Sequence, residues 1–188
     1  MTATPEQHDV VDVLTADHRA VRALFEGYRT ATEPELRRQL VDRITVEVVR
    51  HSVAEEAHLY PTVRKALPNG DRIADEEIEE LTEAERILSD LDAVDPRDRR
   101  FDPLVRDLMD VVSMHIRGEE DLVFPELRER LTPEERMALG LRVSEATAAA
   151  RGVAPVSEPV REPISPEGPG PGRTLADRVR EQLTGRTR

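Results

Sequence analysis

Two stretches of this 188-residue chain repeat each other without a gap. HSVAEEAHLYPTVRKAL, from His51, aligns with HIRGEEDLVFPELRERL, from His115. The identities are His51/His115, Glu55/Glu119, Glu56/Glu120, Pro61/Pro125, Arg64/Arg128 and Leu67/Leu131; Leu59/Val123 and Tyr60/Phe124 match in kind. The correspondence continues upstream. His18 lies 33 residues before His51, and the equivalent point before His115 is Leu81, with Asp17/Glu80, Val21/Ala84, Leu24/Ile87 and Phe25/Leu88 paired around them. The chain thus reads as two copies of a helix pair. Each copy is expected to bring one His from its first helix and His-x-x-x-Glu from its second, and the second copy has Leu81 where that first His would stand.

Helical periodicity supports this division. Thr4-Pro5-Glu6-Gln7 has the pattern of a capping box with Pro at the first helical position, opening a helix to about Arg29. Thr32-Glu33-Pro34-Glu35 starts a second, running to about Leu67 and stopping at Pro68-Asn69-Gly70. A third spans roughly Ile73 to Ala93. Asp102-Pro103 caps a fourth to about Arg130, and Thr132-Pro133-Glu134-Glu135 opens a shorter fifth ending near Ala149. The inward stripes are Val11, Leu14, His18, Val21, Phe25 on the first helix and Ile44, Val48, His51, Glu55, Leu59 on the second. On the fourth the stripe is Leu104, Leu108, Val111, His115, Glu119, Leu122. Short connections make neighbours antiparallel, so the expected fold is all-α, an up-down-up-down four-helix bundle. Pro61 and Pro125, each six residues past the Glu, should bend or break their helices.

The polar residues on those seams have a use. Four residues along a helix amount to about 40° of rotation and about 6 Å of rise, so His and Glu at that spacing face one point. An imidazole and a carboxylate supply a nitrogen and an oxygen to a cation, and two such pairs offer two carboxylates to bridge two metals. A single buried His is readily satisfied by a hydrogen bond. A buried, unpaired Glu costs several kcal/mol or must become neutral. Two Glu and three His at matching depth therefore call for a cation.

Charge and composition narrow the classes. A net charge of −12 argues against a general nucleic-acid binder, which needs a basic face for phosphates. With no Cys, neither a disulfide framework nor a thiolate metal site is possible. The opening MTATPEQHDVVDV has acids where a signal peptide needs a basic and then an apolar run. No stretch approaches the roughly 18 apolar residues of a membrane span, so a cytoplasmic location without membrane partners is expected. Residues 151–188 differ from the rest: seven Arg face five acids there, a balance of +2, leaving 20 basic and 34 acidic residues, or −14, in 1–150. The same segment holds six of the 14 prolines and five of the nine glycines, which places a boundary near Arg151 between a bundle (1–150) and a tail (151–188). Residues 152–173 are expected to be a disordered, extended Pro/Gly linker. Thr174 to Gly185 suits a short helix with Leu175, Val179 and Leu183 on one face. It is expected as a frayed, solvated end, with docking on the bundle or on a protein partner as the alternative.

The Asp17-His18 pair, the HSVAEE..LYP block and the HIRGEE..FP block together resemble the hemerythrin-like HHE cation-binding family over roughly residues 8–131. The resemblance implies a non-haem di-iron centre, with ligand roles on His18, His51, Glu55, His115 and Glu119 and with Glu55 and Glu119 as bridges. Leu81 departs from it, since the family pattern has a histidine there and leucine cannot bind iron. Glu77 and Glu85, one turn either side, could supply an oxygen; Glu77 is preferred because that position bears a ligand in some hemerythrins. His58 is a further candidate, as seven residues from His51 return it to the same face. His8 is expected to be exposed, and Glu56 and Glu120 to solvate their helix faces or hydrogen-bond a ligand side chain. Ligand chemistry alone suits Fe, Mn or Zn, and only the resemblance favours iron. Trading His for Glu favours ferric iron, so the function expected is oxygen or redox sensing, peroxide handling or iron binding, with O2 or peroxide as the small ligand, rather than reversible oxygen carriage. The alternatives are a single-metal site using His18, His51 and Glu55, and a degenerate bundle acting as a protein-interaction module. Metal binding alone does not make an enzyme, and no substrate pocket is legible.

Overall fold

Five residues that share one helical face, Val11, Leu14, His18, Val21 and Phe25, are all buried along α1 (Val10–Thr30). The computed structural model describes residues 9–149 and 174–184. The capping box at Thr4–Gln7, His8, the boundary near Arg151 and the linker 152–173 lie outside the described residues. As described, α1 is capped by Asp9, whose carboxylate accepts from the Val11 N–H at 2.9 Å.

The remaining elements are α2 (Pro34–Ala54), a π-helical turn (Glu55–Leu59), α3 (Tyr60–Ala66), α4 (Gly70–Asp92) and α5 (Phe101–Gly118). A second π-helical turn (Glu119–Val123), α6 (Phe124–Arg130), α7 (Pro133–Ala149) and α8 (Leu175–Thr184) follow. Four rods, α1, α2–α3, α4 and α5–α6, make the up-down-up-down bundle. α7 packs on α1 and α2, and α8 on α2 and α4. The expected fifth helix is α7, where Thr132 and Glu135 form a capping box, each backbone N–H bonded to the other's side chain at 2.8 and 3.2 Å.

Pro61 and Pro125 do not break their rods. A proline ring presses on the carbonyl four residues back and brings no N–H. Here the chain widens just before each one: the Tyr60 N–H bonds to the Glu55 carbonyl and the Phe124 N–H to the Glu119 carbonyl, five residues back. Each wide turn begins on the Glu of a His-x-x-x-Glu pair and re-aims everything after it.

Three sequence expectations shift. Asp102 does not cap α5, which starts one residue earlier; its carboxylate instead accepts from Tyr28 Oη at 2.6 Å and from Arg37 at 2.8 and 3.0 Å. The buried stripe of the fourth rod is Val105, Leu108, Val112, His115, Glu119 and Val123, while Leu104 and Val111 are only partly buried and Leu122 is exposed. α4 starts at Gly70, earlier than expected, because Asn69 takes a left-handed φ of 57° and a Cβ on Gly70 would lie 2.2 Å from the Val63 carbonyl oxygen.

The terminal helix docks. Thr174 and Asp177 form a reciprocal cap on α8. Leu175 and Val179 are buried in the same apolar cluster as Ile44, Val48, Ile87 and Leu88, with Leu183 packed against it. The solvated end expected from the sequence is thus corrected: three apolar residues on one face find a groove between α2 and α4. No helix among the described residues is long and apolar enough to cross a membrane.

The core falls into two apolar clusters. One gathers Val21, Phe25, Ile44, Val48, Leu88, Leu108 and Val112. The other gathers Leu14, Leu59, Tyr60, Val63, Ile73, Leu81, Val123 and Phe124. Along α1, α2–α3 and α5–α6 the chain passes from one cluster to the other through His18, His51/Glu55 and His115/Glu119, so these polar residues form a buried layer at mid-bundle.

Candidate metal centre

His18, His51, Glu55, Glu77, His115 and Glu119 are all buried, with Glu55 and Glu119 at 0 % exposure. Two groups emerge whose potential ligand atoms lie within 4.8 Å of one another: His18, His51, Glu55 and Glu119, and Glu77, His115 and Glu119. Glu119 belongs to both. Glu55 also reaches across, with Oε1 2.9 Å from His51 Nε2 and Oε2 3.6 Å from His115 Nε2. Glu119 Oε2 lies 3.2 Å from His18 Nε2 and 3.9 Å from His115 Nε2. Glu77 Oε2 lies 2.8 Å from His115 Nδ1.

These approaches are close but do not have hydrogen-bonding geometry. His18 Nε2, both ring nitrogens of His51 and of His115, Glu55 Oε1, Glu77 Oε2 and Glu119 Oε2 are buried without a hydrogen-bond partner. A native core satisfies nearly all such atoms, and nitrogen and carboxylate donors converging on one layer are what a divalent cation would satisfy. The residues present therefore fit a metal.

Flanking groups hold the ligand side chains in place. Glu120 Oε1 lies 2.9 Å from His18 Nδ1 and accepts from Arg22 Nη1 at 3.0 Å, while Glu120 Oε2 accepts from Arg22 Nη2 at 2.9 Å, which leaves His18 Nε2 facing the layer. Phe124 stacks on the His18 ring at 5.6 Å and 9°. The Tyr60 hydroxyl donates towards Glu55 Oε2 at 3.1 Å and Glu119 Oε1 at 3.3 Å.

Without a cation, electrostatics pulls the layer in opposite directions. Burial, reinforced by the facing Glu55, raises Glu119 well above the usual carboxylate range. Burial opposes charge on Glu55, but His51 and His115 outweigh it and hold Glu55 low. Burial lowers His18. It works the same way on His115, yet Glu119, Glu55 and Glu77 overcome it and raise that imidazole well above its ordinary value. Burial also raises the Tyr60 hydroxyl, so Tyr60 stays a proton donor.

The second repeat rearranges its contribution. The counterparts of Leu14 and His18 on α1 are Glu77 and Leu81 on α4, so the polar and apolar positions have changed places by one turn. Leu81 is buried in the same apolar cluster as Tyr60. Glu77 finds room because residue 118 is Gly: a Cβ there would stand 2.7 Å from Glu77 Oε1. The first repeat has Ala54 at that point, in the same apolar cluster as Leu14.

The other two candidates go elsewhere. Glu85 is buried but accepts from Ser52 at 2.9 Å and from Arg180 of α8. His58 is half-buried, and its charged neighbours are Arg142 and Glu145 on α7, because the π-helical turn from Glu55 rotates it off the His51 face. Glu120 hydrogen-bonds His18, whereas Glu56 bonds Ser52 and Arg180. Sequence reasoning missed Tyr60, Gly118, Arg22 and Arg180. For two of these the repeat held a signal, as Tyr60 differs from Phe124 by one hydroxyl and Gly118 from Ala54 by one methyl.

Comparison with known proteins identifies the family. The sequence profile of the Hemerythrin HHE cation binding domain matches residues 9–127. A protein of Nostoc sp. described as a DNA nickase is 32% identical over 127 residues, covering 68% of this chain and 36% of that protein. An uncharacterized hemerythrin-like protein of Schizosaccharomyces pombe is 26% identical over 129 residues, covering 68% of this chain and 64% of its own length. The chain thus spans about a third and about two thirds of these relatives. The crystal structure of a hemerythrin HHE cation binding domain-containing protein from Mycobacterium kansasii superposes with a TM-score of 0.69 at 20% identity, covering 77% of this chain and 88% of that one, so the two share a fold. With its profile match, its bundle and its buried His/Glu layer, the chain belongs to the hemerythrin HHE cation-binding domain family.

Proposed function

We propose that the chain binds two irons in this layer and uses them for peroxide or redox chemistry rather than for reversible oxygen carriage. The observation that carries this is the convergence of buried, unpartnered ligand atoms in two groups joined by Glu119. His18, His51, Glu55 and Glu119 would hold one ion, and Glu77 and His115 the other, with Glu119 and Glu55 between them. Such a pair would supply one-electron oxidation steps and open positions for O2 or peroxide.

The protein's own groups favour the redox reading. A carboxylate from Glu77 stands in the half that lacks a histidine, and hard anionic oxygen favours the ferric state. Tyr60 holds a proton between Glu55 Oε2 and Glu119 Oε1, close to where oxygen chemistry needs one. Leu14, Leu59, Leu81, Val123 and Phe124 pack on one side of the layer and exclude water. The activity named for the Nostoc relative does not transfer readily, because a net charge of −12 opposes a nucleic-acid surface.

Iron-loaded protein should consume hydrogen peroxide faster than the same protein stripped of iron, and His51→Ala should lose that activity together with its iron. Equal consumption by the stripped protein overturns the peroxide reading.

A further inference from the structure

The bundle's two halves treat equivalent carboxylates differently. Glu120 is gripped by two neighbours from α1, the His18 ring and the Arg22 guanidinium. Glu56 is its counterpart, and the α4 residues equivalent to His18 and Arg22 are Leu81 and Glu85. The second half thus offers Glu56 no cation, and adds a like charge where the first half has an arginine. The missing cation comes from outside the four rods. Arg180 of α8 donates from Nη1 to Glu56 Oε2 at 3.0 Å, from Nη2 to Glu56 Oε1 at 2.8 Å, and from Nε to Glu85 Oε2 at 3.0 Å. Its Nη2 also bonds Glu85 Oε1 and donates to Ser52 Oγ at 2.9 Å, while the Ser52 hydroxyl donates to Glu85 Oε1 at 2.9 Å. Ser52 is fully buried, Glu85 is buried, and the Arg180 side chain is 11% exposed.

We infer that Ser52, Glu56 and Glu85 form a guanidinium-binding notch, filled from α8 by Arg180, which makes the C-terminal helix a positioning element for the segment that brings His51 and Glu55 to the metal layer. The planar fork matters: two carboxylates and a hydroxyl take five contacts from one group, which a point-like ammonium cannot reproduce. Ser52 and Glu56 flank Glu55 and His51 on the same rod, so the clamp fixes the segment that presents those side chains. Emptied, the notch leaves two facing carboxylates in a half-buried setting, and their repulsion pushes α2 and α4 apart.

The notch itself does not depend on what the layer binds; its effect on iron retention rests on the di-iron reading. The test compares the full chain with Arg180→Ala, Arg180→Lys and the double variant Arg180→Ala/Glu85→Arg, which moves the cation onto α4 where the first half has Arg22. In metal-free protein, hydrogen exchange around Ser52–Glu56 should speed up about tenfold or more in Arg180→Ala and less in Arg180→Lys. Glu85→Arg should restore that protection while α8 stays loosened. Millimolar methylguanidinium, but not methylammonium, should also restore it to Arg180→Ala, so the inference remains testable if the double variant does not fold. In iron-loaded protein, release to a chelator should follow the same order. Unchanged exchange in Arg180→Ala, or equal rescue by the two small cations, overturns the notch. Exchange that shifts as stated in chains that never hold iron supports the notch and defeats the di-iron reading instead.

Discussion

Gly118 and Glu77 fit together as a pair: the absent Cβ of one leaves the space filled by the carboxylate of the other, at a would-be distance of 2.7 Å. The backbone of Gly118 is ordinary helix, φ −55° and ψ −47°, so any residue could stand there as far as conformation goes. Gly118→Ala should therefore raise the stability of the metal-free protein by up to about 1 kcal/mol through helix propensity. The same change should displace Glu77 and lower bound iron from about two towards about one per chain. Denaturation of metal-free protein and iron analysis check the two halves, and stability and metal content moving in opposite directions is the signature.

Tyr60→Phe keeps the ring in its apolar cluster and removes only the hydroxyl. Phe124 shows that a phenylalanine suits the equivalent point. The lost hydrogen bond to a carboxylate should cost about 1–2 kcal/mol in metal-free protein. Iron content should stay the same, while peroxide consumption at equal iron loading should fall about 100-fold, as expected where a positioned proton donor is removed. Stopped-flow measurement of peroxide decay at matched iron content decides this.

Asp102 gives a pH test remote from the metal layer. Hydrogen bonds from Tyr28 and Arg37 hold its carboxyl below the usual aspartate range. A group depressed in the folded state stabilises the fold above its unfolded pKa and loses that contribution as pH falls through the folded value. The side chain is 48% exposed, so solvent screening keeps the effect to about 1 kcal/mol or less. Asp102→Asn should lower the urea midpoint at pH 7 and match the wild-type protein more closely near pH 3, measured on metal-free protein.

Much of the fold was legible because its signals were periodic. On α1 and α2 the stripes through His18 and through His51 and Glu55 are buried as read. On the fourth rod, Leu104/Val105, Val111/Val112 and Leu122/Val123 are adjacent apolar pairs, and either member satisfied the period. The structure buries the second of each, and for Val123 the cause is the π-helical turn, which no residue pattern announced. Of the site, the repeat marked His51, Glu55, His115 and Glu119 directly, and Leu81 by contrast with His18. Arg180 stayed hidden because its partners, Glu56 and Glu85, come together with it only through the docking of α8. His58 misled because seven residues return to one face only in an unbroken α-helix.

The proposed function stands on two irons in the His/Glu layer, both served by Glu55 and Glu119. It is tested most directly by elemental analysis of the full chain purified after growth with iron, alongside Glu119→Ala. About two irons per chain are expected in the wild-type protein and a loss of both in the variant, since Glu119 belongs to both groups. No iron in the wild-type protein, or two irons retained without Glu119, would contradict it.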